Sequence, residues 1–172
     1  MLPVLTTPRL VLRPAAAADI DAVWHMLVLP DVRRYMCDDR VLPRDTVAGF
    51  IADRPGPGMG IWIAERGGAF AGLAGLKPVA DELAALVPLL RGEVEPTVAL
   101  LPEMWGQGLA GEALAAVLDH GFGALGLARI AAACDVPNLA SVRMLARAGF
   151  QPTGEFQGVF YRVRTWTKPA AS

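Results

Sequence analysis

The chain has 172 residues, which predicts one domain over 1–172 with a buried core. Hydrophobic residues make up 53% and charged residues 19%, which excludes an intrinsically disordered chain, and the net charge of −1 gives no broad basic field for nucleic acid. The cysteines Cys37 and Cys134 are too few for a disulfide framework or a metal-ligand cluster. No stretch predicts a membrane span or a signal peptide, so we expect a cytoplasmic protein that binds no membrane. The cysteine count and the net charge likewise predict that it binds no metal and no nucleic acid.

Apolar residues at period two or at helical spacing predict the elements of the first half of the chain. In chain order these are a strand over 5–13, a helix over 15–29, a helical turn over 31–36, a helix that Pro43 opens, and strands over 59–65 and 69–77. The last two strands are joined through Gly67-Gly68, which indicates a hairpin. Residues 78–91 fit either a short helix or an irregular loop.

The second half of the chain alternates strands and helices. The pattern predicts a strand over 94–101, a helix over 109–125, a buried strand over 128–134, a helix over 138–147 and final strands over 150–156 and 159–167. Pro96, within the first of these strands, indicates a bulge or an unpaired edge position. The whole order predicts a mixed α/β fold on a largely antiparallel sheet with one parallel crossover.

A glycine-rich turn at Gly106, Gly108 and Gly111 lies between a predicted strand and a predicted helix. Glycines let backbone N–H groups approach a ligand, and a helix N-terminus adds unpaired donors and a positive dipole end. The turn therefore fits either a pyrophosphate site or a helix start with structural glycines. The glycines also match the G-x-G-x-x-G fingerprint of dinucleotide sites. Antiparallel strands precede them, however, and 128–133 holds no acidic ribose partner, which disfavours a nicotinamide site.

Polar residues cluster at the start of the helix predicted over 138–147. Asn138 and Ser141 are three residues apart and share a face, whereas Arg143 and Arg147 are four apart and share another. Asn138 fits a helix N-cap, Ser141 fits an ordinary first-turn serine, and the arginines fit a solvated face. By themselves these residues leave both structural and ligand-binding roles open.

Three segments in combination resemble the GNAT superfamily of acetyltransferases. They are the turn Trp105-Gly106-Gln107-Gly108, the helix Asn138-x-x-Ser141 that is followed by Ala148-Gly149-Phe150, and the opening Thr6-Thr7-Pro8-Arg9-Leu10-Val11-Leu12-Arg13-Pro14. The opening segment and Trp105 are similar to the Rim-type branch, known for N-terminal alanine acetyltransferases of ribosomal proteins. The resemblance implies a mostly antiparallel central sheet of about seven strands, flanked by about four helices and splayed near the fourth strand.

By this resemblance the co-substrate is acetyl-CoA, and no metal takes part. Backbone amides at the glycine turn would hold its pyrophosphate, and the end of the strand over 94–101 would pair with the pantetheine arm. The helix over 138–147 would contact the pantetheine and the adenosine phosphates. The residues so implied in cofactor binding are Leu100, Leu101, Gln107, Gly108, Leu109, Ala110, Gly111, Glu112, Asn138, Arg143 and Arg147.

An attacking amine must lose a proton, and a carboxylate acting directly or through a water can take it. Glu103, just before the turn, is the first candidate for this base, and Glu95, on the preceding strand, is the second. The departing thiolate benefits from a proton donor, and Ser141 stands where Rim-type enzymes present a serine, with Tyr161 as an alternative. We expect direct transfer in a ternary complex and not a covalent route through Cys134, because a cysteine in an alanine-rich strand is more often core.

The sequence thus predicts an N-acetyltransferase that acetylates a primary amine, either a protein N-terminus or a small molecule. The acidic loop 37–40 and the two early helices would line the acceptor entrance, and a homodimer through the last strands fits the resemblance. His25 and His120 are interpreted as structural. A catalytically silent acyl-CoA-binding module is an alternative function, and a nicotinamide-dependent oxidoreductase is a remote one.

Overall fold

The computed structural model describes residues 1–171 and contains two antiparallel β-sheets. The strands are β1 Leu5–Thr6, β2 Val11–Pro14, β3 Gly60–Arg66, β4 Ala69–Pro78, β5 Val94–Leu100, β6 Arg129–Asp135, β7 Gln151–Gln157 and β8 Arg162–Pro169. The first sheet has the order β1-β2-β3-β4-β5, and the second has the order β6-β8-β7.

Helices cover both faces of the first sheet, which confirms the predicted mixed α/β class. They are α1 Ile20–Leu27, α2 Pro30–Met36, α3 Arg44–Ala52, α4 Asp81–Leu86, α5 Leu109–Asp119 and α6 Leu139–Arg147. Neighbouring strand residues point to opposite faces of a sheet. Accordingly Ile61 packs with Val23 and Ile51 of α1 and α3, whereas Trp62 packs with Leu114 of α5. The sheet therefore separates an α1–α3 side from an α5 side.

The strand predicted over 5–13 is instead a tight hairpin in which Thr6 of β1 pairs with Val11 of β2. The Thr7 N–H donates to the Leu10 carbonyl at 2.9 Å, and the Thr7 hydroxyl accepts the Leu10 N–H at 2.8 Å. Pro8 has no N–H to offer a neighbouring strand, and a threonine side chain that bonds the backbone favours a turn. The prediction of a single strand was therefore wrong.

The two sheets separate between β5 and β6. Within residues 1–171, β5 pairs only with β4, and β6 pairs only with β8. We predicted that the sheet splays near the fourth strand. In the structure the two sheets part after β5, because the first predicted strand is two strands, β1 and β2, and each later strand is numbered one higher. One long edge of β5 is consequently open.

Pro96 lies in a β4–β5 ladder that has no register shift, so the predicted bulge is absent. The Leu101 N–H donates to the Ala71 carbonyl at 2.9 Å, and backbone groups alternate sides along an antiparallel ladder. Leu100, Val98 and Pro96 therefore turn their backbone groups toward the open edge. A proline there removes no ladder hydrogen bond, so the edge interpretation of Pro96 is correct.

The remaining predicted elements have close counterparts. Residues 78–91 form α4 and a 3₁₀ turn over Pro88–Leu90, which agrees with the helical alternative. The helix predicted over 109–125 is α5 followed by one π-helical turn over His120–Ala124. Among residues 1–171, no helix combines the length and the apolar character that crossing a membrane requires.

Candidate active site

The glycine turn before α5 presents a row of backbone N–H groups to the surface. Gly106 and Gly108 adopt left-handed φ angles of 71° and 77°, which glycine reaches without strain. In the part of the chain that the structure describes, the N–H groups of residues 106–111 have no protein acceptor, whereas the Glu112 N–H donates to the Gly108 carbonyl at 3.1 Å. The turn is thus an open anion cradle at the positive end of a helix dipole.

Side chains of the turn tie it to the neighbouring strands. Gln107 Nε2 donates to the Glu103 carbonyl at 2.9 Å, and Gln107 Oε1 accepts from Arg66 Nη1 at 2.6 Å. Trp105 Nε1 donates to the Leu100 carbonyl at 2.8 Å. Because Leu100 ends β5, the last bond joins the glycine turn to the open strand edge.

The open edge of β5 offers main-chain donors beside this cradle. Val98 and Leu100 turn their N–H groups toward the opening, whereas Leu101, also predicted as a backbone contact, donates its N–H to Ala71. An extended ligand arm can pair with such an edge as an added strand does. Val98 was missed in the sequence because the ladder register decides which N–H groups stay free.

The helix α6 follows directly after β6, the other strand of the opening. Asn138 is its N-cap, since Asn138 Oδ1 accepts the Ser141 N–H at 3.2 Å. The Ser141 side chain is half-buried. Arg143 and Arg147 are exposed on α6, and Arg143 Nε also donates to the Leu139 carbonyl at 3.2 Å.

Glu95 is a half-buried carboxyl group on β5. It shares a face of the strand with Ala99, which belongs to the core cluster of α1–α3, so its side chain lies on the α1–α3 side. Burial raises the pKa of Glu95 to about 7, and the charge of Lys77 opposes that rise only in part. Lys77 stands directly across the ladder but forms an ion pair with Asp53 and lies 4.7 Å from the centre of the Phe50 ring.

Glu103 has a different environment from Glu95. It lies on an exposed 3₁₀ turn, Pro102–Met104, between β5 and the glycine turn. The Glu103 contact to the site runs through its carbonyl, which accepts from Gln107. The two candidates for the base therefore differ in burial, which the local sequence around each residue does not reveal.

Acidic and aromatic groups gather on the α2 side of the opening. The Tyr35 ring of α2 lies 5.7 Å from the Tyr161 ring, centre to centre, so the loop between β7 and β8 reaches α2. Burial, and then the negative charge of Asp38, raise the pKa of Asp135 at the end of β6. Tyr35 and Asp135 were missed from the sequence, because contacts between distant segments leave no local pattern.

The remaining cysteine and histidine candidates have structural surroundings. Burial is the main influence on the Cys134 thiol and raises its pKa. His120 is buried with Nε2 2.8 Å from the Gly58 carbonyl, and His25 is exposed on α1. Among the described residues, no group of three or more histidine, cysteine or acidic side chains is placed to hold a metal ion.

A protein-family model of the acetyltransferase (GNAT) domain matches residues 9–151. That range contains the glycine turn, the open strand β5 and the helix α6. The chain belongs to the GNAT family of acetyltransferases. It is an N-acetyltransferase, and the acetylation that this family performs depends on acetyl-CoA.

Alignments with known GNAT relatives cover nearly the whole of this chain. YoaA of Bacillus subtilis (strain 168), an uncharacterised N-acetyltransferase, is 29% identical over 169 residues, which are 94% of this chain and 90% of YoaA. The structure of YncA from Salmonella typhimurium with acetyl-CoA matches with a TM-score of 0.76 at 20% identity and covers 95% of both chains. RimL, a ribosomal L7/L12 α-N-protein acetyltransferase in complex with coenzyme A, matches with a TM-score of 0.76 at 18% identity, over 97% of this chain and 98% of RimL. At these identities the two structures show a shared fold.

The substitution Glu95→Gln is expected to stabilise the GNAT fold above about pH 7. Folding raises the pKa of Glu95 from about 4.3 in the unfolded chain to about 7. Its protonated form therefore stabilises the folded state fully below about pH 4.3, and this contribution is lost as the pH rises through about 7. The free energy of unfolding of Glu95→Gln, relative to the unmodified protein, should grow by up to about 3 kcal/mol between about pH 4 and pH 8. Urea unfolding across that range measures it. Glu103→Gln, which removes an exposed carboxylate, is the matched control, and an equal pH trend in both variants would contradict the burial of Glu95.

Proposed function

We propose that this GNAT acetyltransferase transfers the acetyl group of acetyl-CoA directly to a primary amine within a ternary complex. One observation carries the proposal: the free N–H groups of residues 106–111 adjoin the open edge of β5, and Glu95 lies on the α1–α3 face of that same strand. The co-substrate supplies the activated thioester. The protein binds it, orients the amine and moves protons.

The free backbone N–H groups of the glycine turn and of the β5 edge fit a ligand that has a diphosphate and an extended arm ending in a thiol. The N–H groups of residues 107–111 would hold the diphosphate, and the edge at Val98 and Leu100 would pair with the arm. The Glu112 N–H, which the sequence predicted among the diphosphate contacts, is not one of these donors, because it already donates to the Gly108 carbonyl. We keep Asn138 as a contact to the arm, and Arg143 and Arg147 as exposed cations for the adenosine phosphates.

Glu95 fits the role of general base better than Glu103 does. A base accepts a proton most effectively when its pKa lies near the working pH, and burial brings the pKa of Glu95 to about 7. The Glu95 side chain also lies on the face opposite α5, so an amine could approach from the side away from the glycine turn. Glu103 is exposed on the cofactor side of the strand's end.

The remaining proton and charge steps fall to groups near the opening. Ser141, half-buried in the first turn of α6, would pass a proton to the departing thiolate and recover one from solvent. At the thioester end of the arm, farther from the glycine turn, the Val98 N–H would donate to the carbonyl oxygen as it gains charge, while Leu100 pairs with the arm itself. The raised pKa of Cys134 disfavours the thiolate that a covalent route would need, which supports direct transfer.

The acceptor would enter between α2 and the loop that carries Tyr161. Asp38 is paired with Arg40, so the half-buried Asp135 is the carboxyl group that would favour a cationic amine on this side. The rings of Tyr35 and Tyr161 can contact such a cation. RimL acts on a protein N-terminus, as its name states. A protein N-terminus and a small-molecule amine are both compatible with this entrance, and a screen that reads thiol release over both classes distinguishes them. A catalytically silent module would bind acetyl-CoA but release no thiol with any amine.

Gly108→Val is expected to weaken acetyl-CoA binding at least about tenfold, because a β-branched residue at a φ of 77° would turn the free N–H groups away from the ligand. The unmodified protein should gain about 2.7 kcal/mol of stability at a hundredfold excess of acetyl-CoA over its Kd. Calorimetric titration and thermal shift measure both quantities. Gly67→Val is the matched control, since Gly67 has a φ of 59° and open space but lies in the β3–β4 hairpin. Undiminished affinity in Gly108→Val would refute the diphosphate site.

The pH dependence of kcat/KM should identify the base. With an amine of lysine-like pKa, about 10.4, kcat/KM of the unmodified enzyme should rise with pH through a first apparent pKa of about 7, as Glu95 loses its proton. Glu95→Gln should lower kcat about 100-fold or more and remove this limb, whereas Glu103→Gln should retain it. The reverse pattern would assign the base to Glu103.

Ser141→Ala should lower kcat about tenfold or more with little change in the Kd of acetyl-CoA, because the hydroxyl acts on the leaving thiolate. The Ser141 backbone N–H, which donates to the N-cap oxygen Asn138 Oδ1, is retained in this variant, so α6 keeps its N-cap. Single-turnover kinetics with acetyl-CoA bound gives the measurement. An unchanged rate would move the role of proton donor to Tyr161 or to solvent.

A further inference from the structure

The hairpin turn of residues 7–10 contacts the outside of the glycine turn, and the catalytic proposal gives it no role. We propose that Arg9 is a positioning residue of the diphosphate site: it holds the peptide between Gln107 and Gly108 so that the N–H groups of the turn face the co-substrate. This inference rests on the proposed function, since it presumes that acetyl-CoA binds at residues 107–111.

The carboxylate of Glu112, in the first turn of α5, anchors the arrangement. Arg9 Nε donates to Glu112 Oε2 at 2.7 Å, and Arg9 Nη2 lies 2.6 Å from the same oxygen. The Arg9 backbone N–H and the Thr7 hydroxyl donate to Glu112 Oε1 at 2.8 Å and 2.6 Å. Burial by itself would raise the pKa of Glu112, but the bonds from Thr7 and Arg9 outweigh it and lower the pKa. Glu112 is therefore held as an anion by groups of a single turn.

The guanidinium of Arg9 extends from this anchor to the glycine turn. Arg9 Nη1 donates to the Gln107 carbonyl at 2.9 Å, and a Cβ atom built on Gly108 would lie 3.7 Å from Arg9 Nη2. In a planar trans peptide, the C=O and the following N–H point in opposite directions. Fixing the Gln107 carbonyl toward Arg9 therefore directs the Gly108 N–H away from Arg9, to the side where residues 106–111 have no protein acceptor.

Charge alone does not account for the contact. Arg9 and Glu112 neutralise each other at close range, so the pair adds little net field to the cradle. The planar guanidinium instead bonds a carboxylate and a carbonyl at once, which one lysine ammonium does not reproduce in the same geometry. Arg9 therefore acts on the site through orientation. The turn at Thr7, Pro8 and Arg9 is what brings Arg9 to α5.

The test compares two acetyl donors that differ in the diphosphate. In Arg9→Ala, the Kd and KM for acetyl-CoA should rise about tenfold, as expected for the loss of hydrogen bonds that order a charged site, with kcat at saturation within about twofold. The kcat/KM for S-acetylpantetheine, which lacks the diphosphate, should stay unchanged. Arg129→Ala is the matched control, because Arg129 is an exposed arginine that pairs with Glu93 away from the turn. It should change neither donor's kinetics.

Arg9→Lys keeps the experiment informative should Arg9→Ala fold poorly. It retains a cation beside Glu112, so circular dichroism should be unchanged, and it should still raise the Kd for acetyl-CoA severalfold. Equal loss with both donors, or no loss with acetyl-CoA, would overturn the positioning role of Arg9. If the unmodified protein does not bind acetyl-CoA at all, the proposed function fails first, and the two failures are thereby distinguishable.

Discussion

The site depends on one structural constraint: β5 has a hydrogen-bonded neighbour on one side only. Within the described residues its other edge is unpaired, because β6 turns to β8 and the two sheets part. An unpaired strand edge normally invites association with another chain, and proteins usually cover it. Here Pro96 removes one donor from the edge without disturbing the ladder, and the Trp105 indole covers the Leu100 carbonyl. The N–H groups of Val98 and Leu100 remain for an extended ligand.

The fold divides the chemistry between two faces of the same strand. Side chains of β5 alternate, so Val98 and Leu100 pack toward α5 and Ala99 packs toward α1–α3. Glu95 has the second orientation, where burial raises its pKa. The glycine turn continues from the end of the strand at α5. A diphosphate-bearing donor and an amine can therefore approach from different directions and meet at the opening, which is what direct transfer requires.

The N-terminal hairpin connects the start of the chain to the cofactor side. Its turn places Arg9 against Glu112 and Gln107, more than ninety residues away in the sequence. Arg13, in the following strand, bonds Asp19 and Glu65 with the same kind of charge-assisted contact. The two arginines of the opening segment thus hold different neighbours: Arg9 contacts the glycine turn, and Arg13 joins the first sheet to the start of α1.

Sequence patterns determined the elements whose signals are local. Helical spacing gave α1, α5 and α6, the pair Gly67-Gly68 gave the β3–β4 hairpin, and the Trp-Gly-x-Gly turn with Asn138 and Ser141 indicated the family. Each of these follows from residues within one or two turns of chain, where propensity and capping act.

Only the tertiary structure decided which polar groups stay free. The Leu101 and Glu112 amides looked equivalent to their neighbours in the sequence, yet the ladder and the helix occupy both. Burial distinguished Glu95 from Glu103, and the β7–β8 loop brought Tyr161 beside Tyr35. Hydrogen-bond register, solvent exclusion and contact between distant segments arise from packing of the whole chain, so no short stretch of letters contains them.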